Sequence, residues 1–154
     1  MTTAAADPAP AAPANGWCAL SVLHGRIEGH VERALQAGHG LSVREFSLLE
    51  ILSRQHDGEG GHLQMKRLAE AIVLSDSATT RLVTRLEDRA LLTRYLCSTD
   101  RRGIYTNVSE AGLRLLAGAR PTHDAALREV LAEAAKNPLL APLVRTVRSL
   151  DAPA

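Results

Sequence analysis

The polar side chains between residues 75 and 89 are of the types that bind nucleic acid, and they recur at helical spacing. Arginine donates paired hydrogen bonds to phosphate oxygens or to guanine, and hydroxyls donate to phosphate. Arg81 and Arg85 stand four residues apart, so on a helix they project from one face. We predict contacts with double-stranded DNA from Ser75, Ser77, Thr79, Thr80, Arg81, Thr84 and Arg85. The alternative is an ordinary solvated helix face, on which arginine and threonine are also common.

A second pair of arginines, Arg101 and Arg102, lies in a polar turn between two strand-like runs. At the tip of a hairpin they would reach a minor groove, whose negative potential attracts arginine. Asp100 precedes them and is expected to hold an arginine in place rather than to touch DNA. Between residues 81 and 102 six arginines face three carboxylates, giving this window a net charge of +3 in a chain of +1. Positive charge is therefore concentrated where DNA contact is predicted.

Composition excludes several function classes. The 154 residues carry 18 Lys and Arg against 17 Asp and Glu, so the chain is not a uniformly basic binder. Six scattered histidines form no metalloprotease motif, and the sequence holds no phosphate loop or nucleophile elbow, so we expect no enzyme, no metal and no cofactor. No apolar run approaches the roughly 18 residues that span a bilayer, so we expect a cytoplasmic protein without membrane contact.

The hydrophobic periodicity predicts a helical chain around these side chains. Residues 1–16, rich in Ala and Pro, are predicted to be a disordered tail. Apolar residues then recur every three or four positions from Trp17 until glycines stop the pattern near residue 38. Ser42 and Glu45 form a capping box that opens a second helix, and a short third helix precedes residue 73.

The fourth helix is predicted to be capped by Ser75 and to end near Arg89. After it, the spacing of apolar residues changes from every three or four positions to every second position. Alternating residues predict strands over 91–97 and 104–109, which form a β-hairpin. A long helix follows, with Pro121 expected to bend or interrupt it, and Asn137-Pro138 is expected to open a last helix. The predicted fold is mainly α with a small β-hairpin wing. It comprises a single domain over 17–150, with a winged helix-turn-helix lobe at about 42–109 and flanking helices at 17–38 and 110–150.

Residues 68–94 read LAEAIVLSDSATTRLVTRLEDRALLTR, followed by Asp100-Arg-Arg-Gly103 and Ser109-Glu-Ala-Gly112. With these motifs the chain resembles the MarR family of bacterial transcriptional regulators from about Trp17 to Leu150. The family's wing motif, Asp-x-Arg, falls on Asp100 and Arg102. The resemblance implies a regulator that binds a palindromic operator as a homodimer through the helices of 17–38 and 110–150, and we expect a repressor, with an activator as the alternative. It also implies release by a small aromatic or phenolic effector or by oxidation.

The apolar residues of the first, fifth and sixth helices support a dimer independently, because a small winged helix could not cover them all. The alternative is that they pack onto their own domain. For the effector, the resemblance implies a cleft between the dimer helices and the DNA-binding lobe, and we predict that Trp17 and His24 on the first helix line it with Arg44 and Arg54 on the second. The alternative is that Trp17 packs against the partner subunit. The indole would supply an apolar wall, and an arginine would pair with the anionic group of the ligand.

The sequence leaves two alternatives to a ligand-responsive DNA-binding regulator. Cys18 lies near the start of the first helix, the place of the reactive cysteine in peroxide-sensing members of the family, so the chain could be a redox-sensing regulator. A winged helix can also bind protein instead of DNA. Arg81 and Arg85 argue against that second reading, since an acidic or apolar helix face would favour it.

Overall fold

The computed structural model describes residues 11–54, 65–96 and 104–150, and these residues form six helices and a two-stranded sheet. This confirms the predicted fold class, mainly α with one hairpin. The elements are α1 (Ala11–His39), α2 (Val43–Ser53), α3 (Met65–Ala71), α4 (Asp76–Asp88), β1 (Leu92–Leu96), β2 (Ile104–Val108), α5 (Glu110–Ala134) and α6 (Ala141–Ser149). None of the helices within these residues is long and apolar enough to cross a membrane.

The chain divides into two compact units, and each has a buried apolar core of its own. One unit combines the chain up to Val31 with the chain from Ala125 onward, and its core comprises Ala19, Leu23, Leu131, Ala134, Leu140 and Val144. The other unit runs from Glu32 to Asp124 and contains α2, α3, α4 and the hairpin. Its fully buried side chains include Leu48, Leu49, Leu52, Leu68, Leu82, Leu86 and Leu116.

Helix α2 begins with the predicted capping box, which the structure confirms. The Ser42 side chain accepts a hydrogen bond from the Glu45 amide at 3.0 Å, and the Glu45 carboxylate accepts one from the Ser42 amide at 2.9 Å. A carboxylate from α1 adds a third partner, because Glu32 Oε2 accepts from the Val43 amide at 2.7 Å. Three otherwise unpaired amides at the start of α2 are thus satisfied.

The hairpin is antiparallel, as the sequence predicts. Leu92 pairs with Val108 and Tyr95 pairs with Tyr105, whose ring centroids lie 5.9 Å apart. The predicted tip, with Arg101 and Arg102, and Cys97 lie outside the described residues.

Helix α5 is joined tightly to the base of the hairpin. Ser109 donates from its amide to the Leu91 carbonyl at 3.0 Å and from its hydroxyl to the Ala90 carbonyl at 2.7 Å. The same hydroxyl accepts from the Gly112 amide at 3.0 Å and so caps the helix. A Cβ at Gly112 would lie 2.3 Å from the Leu91 oxygen, so this close approach requires glycine.

Two non-glycine residues with left-handed backbone flank α4. Val73, in the turn between α3 and α4, has φ +57°, and Ala90, just beyond the end of α4, has φ +56°. Both are exposed, and the Val73 side chain is 80% exposed. This conformation costs an L-residue about 1–2 kcal/mol, so the turns on both sides of α4 are strained.

Three details of the sequence prediction are corrected. Helix α1 starts at Ala11, so the last residues assigned to the disordered tail are helical. Helix α5 continues through Pro121 without interruption, because the missing hydrogen bond falls on an exposed face where water can serve the free carbonyl, while a bend there stays a prediction. Helix α6 begins after Leu140 rather than at Asn137, whose side chain instead accepts from the Leu139 amide at 2.9 Å within the preceding turn.

Candidate nucleic-acid interface

Helix α4 is capped by Ser75, as the sequence predicts. Its Oγ accepts from the Ala78 amide at 3.2 Å and lies 3.3 Å from Oγ of Ser77. Both serines are exposed. Two hydroxyls thus stand at the end of the helix where the macrodipole favours an anion. Their contact with DNA stays a prediction.

The inward face of α4 comprises Leu82, Val83 and Leu86, together with Thr79. The prediction that Thr79 contacts DNA is therefore corrected: its side chain is 1% exposed, and its hydroxyl donates to the Ser75 carbonyl at 3.0 Å. The signal was present in the sequence, because Thr79 precedes Leu82, Val83 and Leu86 by three, four and seven residues. Thr79 was counted among the DNA-contacting residues because threonine is polar, although its spacing from the apolar residues fits the inward face.

The outward face of α4 carries the exposed side chains of Thr80, Arg81, Thr84 and Arg85. The two threonine hydroxyls donate to carbonyls one turn back: Thr80 to Asp76 and Thr84 to Thr80, each at 2.9 Å. Each hydroxyl has a single hydrogen, so neither can also donate to a phosphate in this arrangement. The donors on this face are therefore the arginines, while the threonines offer lone pairs and methyl groups to base edges.

The two predicted reading arginines differ in their surroundings. Arg85 Nε lies 4.0 Å from Oε1 of Glu45, a carboxylate that also accepts from Nη1 of Arg89 at 3.4 Å. Arg81 makes no hydrogen bond or ion pair to the residues that the structure describes. Since no carboxylate offsets its charge there, Arg81 is the guanidinium of α4 most available to DNA.

The predicted effector residues fall in the two compact units, and their joining into one site stays a prediction. Trp17 and His24 line a groove of about 370 Å³ on α1, together with Leu20 and Ser21. The Trp17 side chain is 70% exposed, and His24 lies 3.6 Å from Glu28. These residues belong to one compact unit, whereas both arginines belong to the other.

Arg44 lines a separate cavity of about 330 Å³ within the second unit, which is shallow and more open to solvent than the groove on α1. The other lining residues are Phe46, Ser47, Glu50, Ile51, Ala71, Ile72, Val73 and His123. Phe46 and His123 stack at a centroid distance of 4.4 Å, and Arg44 donates to the Ile72 carbonyl at 3.4 Å. Arg54, at the end of α2, is exposed and does not line this cavity. Reasoning from sequence missed His123, because its partner lies on another helix.

The redox candidate, Cys18, is an exposed free thiol on α1. Over residues 11–54, 65–96 and 104–150, no three His, Cys, Asp or Glu side chains gather in a way that could hold a metal ion.

The order of elements is that of a winged helix-turn-helix: the short helix α3, a turn, helix α4 and the β1–β2 hairpin. Comparison with known proteins identifies the family. The model of the MarR family matches residues 39–103. The chain is also 30% identical over 112 residues to the HTH-type transcriptional regulator MhqR of Bacillus subtilis, covering 73% of each protein. The chain belongs to the MarR family.

Solved structures agree with this MarR-family assignment. The chain is similar to Sco3205, a MarR family transcriptional regulator from Streptomyces coelicolor solved in complex with DNA, with 25% identity, a TM-score of 0.67 and coverage of 86% of this chain and 81% of that one. It is also similar to CouR from Rhodococcus jostii RHA1, solved bound to p-coumaroyl-CoA, with 28% identity, a TM-score of 0.63 and coverage of 84% and 83%. MarR-family proteins are DNA-binding transcriptional regulators and not enzymes, which confirms the predicted class.

Proposed function

We propose that this MarR-family protein is a ligand-responsive repressor that binds a palindromic operator as a homodimer. The observation that carries the proposal is the division of α4 into a buried apolar face and an exposed face bearing Arg81 and Arg85. An exposed helix of this kind fits the major groove, where arginine pairs with guanine. Each chain has one such helix, so two chains related by a two-fold axis would read two half-sites.

Exposed apolar side chains support the dimer. Six of them belong to the unit that holds both ends of the chain: Trp17, Leu20, Val22, Leu139, Val147 and Leu150, with Trp17 and Leu150 at least 70% exposed. The described part of the other unit exposes Val73 alone among its large apolar side chains. Exposed apolar side chains concentrated in one unit are typical of a protein that pairs through that unit, and a second copy pairing through α1 and α6 would cover them.

The cavity beside Arg44 supports the response to a ligand. Its lining combines apolar side chains and the stacked Phe46–His123 pair with a guanidinium, and its one carboxylate, Glu50, is already paired with Arg120 at 2.6 Å, which suits a small aromatic anion such as a hydroxycinnamate. CouR, at 28% identity, was solved bound to p-coumaroyl-CoA. We therefore place the effector at Arg44 rather than in the Trp17 groove, which the proposed dimer would cover.

The hydrogen bond from Arg44 to the Ile72 carbonyl links this cavity to the turn before α4. A carboxylate bound at Arg44 would compete with that carbonyl and loosen the turn that sets the start of the reading helix. Such a ligand releases DNA only to the extent that it binds the DNA-incompetent state more tightly than the competent one.

The DNA-binding part is tested by selection of bound duplexes from a random library of about 30 base pairs. We expect an inverted repeat whose half-site centres are separated by roughly 34 Å, or ~10 base pairs. Light scattering of the complex should give two chains per duplex. A selected motif without two-fold symmetry, or one chain per duplex at full affinity, would contradict the homodimer.

The ligand part is tested by calorimetric titration of p-coumarate and p-coumaroyl-CoA into Arg44→Ala and Arg54→Ala. The two variants lose the same charge from the same helix, but only Arg44 lines the cavity. Loss of a charge-assisted hydrogen bond should weaken binding about 10- to 100-fold in Arg44→Ala and leave Arg54→Ala unchanged. If hydrogen peroxide instead releases the selected duplex, and Cys18→Ser abolishes that release, the redox alternative replaces the ligand response.

A further inference from the structure

Arg94 connects the wing to the reading helix. It lies on β1, yet its guanidinium reaches two side chains of α4: Nε donates to Oε1 of Glu87 at 2.5 Å, and Nη2 donates to Oγ1 of Thr84 at 3.3 Å. The Arg94 side chain is 35% exposed and the Glu87 side chain 26%. The planar guanidinium fixes the direction of both hydrogen bonds, so a single side chain sets the distance and angle between strand and helix here.

Thr84 is the member of this group on the outward face of α4. Its hydroxyl accepts from Arg94 and donates to the Thr80 carbonyl at 2.9 Å, so its hydrogen and one of its two lone pairs are used. The orientation of this hydroxyl is thereby determined from two sides. A base edge that meets Thr84 meets a preorganised group, which needs no reordering when DNA binds.

The positive charge of Arg94 is largely offset by the neighbouring carboxylate of Glu87. Because Glu87 contacts Nε directly, the pair adds little net positive potential toward a phosphate. Arg81, by contrast, has no such carboxylate among the described residues. The geometry therefore distinguishes an arginine placed to attract DNA from one placed to hold two DNA-binding elements together.

We propose that Arg94 is a positioning residue for operator recognition: by bridging Glu87 and Thr84 it fixes Thr84 and holds the strand that leads into the wing tip against α4. The proposal rests on the proposed function, since it assumes that α4 reads a specific duplex. Such a residue raises the affinity for the correct sequence relative to an incorrect one, and it contributes little to the attraction between protein and phosphate.

Fluorescence anisotropy with the selected duplex and a scrambled duplex of the same composition tests this, at several salt concentrations. We expect Arg94→Gln to bind the selected duplex about tenfold more weakly and the scrambled duplex only slightly more weakly, because the Glu87 carboxylate left without its partner repels any duplex, while the salt slope changes by well under 1. Arg94→Lys should recover part of the loss, since it restores the ion pair with Glu87 but not both directed hydrogen bonds. Arg114→Gln, which removes an exposed arginine of α5, is the matched control.

A second measurement keeps the test decisive if Arg94→Gln is poorly folded. In the Thr84→Val background, Arg94→Lys should make a smaller difference to the selected duplex than in the wild type, because one of its partners is already gone. Additive losses would overturn the proposal.

Other results would overturn it as well. A salt slope lower by about 1 on both duplexes would make Arg94 a direct phosphate contact. An equal loss on both duplexes, or wild-type discrimination by Arg94→Gln, would also contradict a positioning role while leaving the proposed function intact. If the wild type itself does not discriminate between the duplexes, the proposed function fails, and this inference fails with it.

Discussion

Replacing Gly112 by alanine tests how α5 is joined to the hairpin. An added Cβ would lie 2.3 Å from the Leu91 carbonyl oxygen and 2.7 Å from Cγ1 of Val108. The oxygen belongs to the backbone and already accepts the Ser109 amide, so it cannot rotate away. Either α5 or the hairpin must move by several tenths of an ångström.

The cost follows from three terms. Overpacking of a close contact costs about 1–3 kcal/mol, and straining the hydrogen bond from the Gly112 amide to the Ser109 hydroxyl costs about 1 kcal/mol. The higher helix propensity of alanine returns at most about 1 kcal/mol. We expect Gly112→Ala to lower the free energy of unfolding by about 1–3 kcal/mol.

Thermal unfolding followed by circular dichroism measures this at matched protein concentration, because the stability of a dimer depends on concentration. A loss of about 2 kcal/mol should lower Tm by roughly 4–8 °C in a chain of this size. Gly118→Ala is the control on the same helix: its Cβ would meet only an atom of His39, at 3.9 Å. We expect Gly118→Ala to be neutral or slightly more stable. If Gly112→Ala were as stable as Gly118→Ala, the close approach of α5 to Leu91 would be wrong.

Three other changes have defined outcomes. Val73→Gly and Ala90→Gly should each raise the free energy of unfolding by up to about 1 kcal/mol, because glycine adopts the left-handed backbone of these exposed residues without strain. Chemical denaturation measures this, and lower stability of both variants would show that the two residues are not strained. Lys136→Met should raise the pKa of Glu133, which the Lys136 hydrogen bond, the Lys136 charge and, to a smaller extent, the Arg26 charge together hold below its usual value. The interaction between Lys136 and Glu133 therefore stabilises the folded state at pH values above the ordinary pKa of a glutamate. This stabilisation is lost as the pH falls through the lowered pKa of Glu133. An NMR titration in which the Glu133 pKa is the same in both proteins would contradict this assignment.

The elements that follow local rules could be predicted from the sequence. The Ser42–Glu45 capping box, the Ser75 cap and the strand alternation each depend on residues a few positions apart, and all three are found in the structure. Helix α4 was placed correctly within two residues at each end. Thr79 was counted among the DNA-contacting residues by its type, although its spacing from Leu82, Val83 and Leu86 fits the buried face on which the structure has it.

Contacts between distant residues could not be predicted in this way. The hydrogen bond from Arg89 to Glu45 joins residues 44 positions apart, and the stack of Phe46 on His123 joins two helices that no local pattern relates. The effector site shows the consequence. Trp17 and Arg44 were combined by residue type and lie in different compact units, so their combination stays a prediction, while the neighbours of Arg44 within its own unit became visible only in the folded chain.

The central claim, that α4 reads DNA through its exposed face, is tested most directly by Arg81→Ala. Its affinity for the selected and scrambled duplexes is compared with that of Arg114→Ala, which removes the same charge from an exposed position on α5. If Arg81 pairs with a guanine, the change should cost roughly 1–3 kcal/mol on the selected duplex and much less on the scrambled one. Arg114→Ala should stay near the wild type on both. An Arg81→Ala protein that binds the selected duplex as tightly as Arg114→Ala would show that this face of α4 does not read the operator.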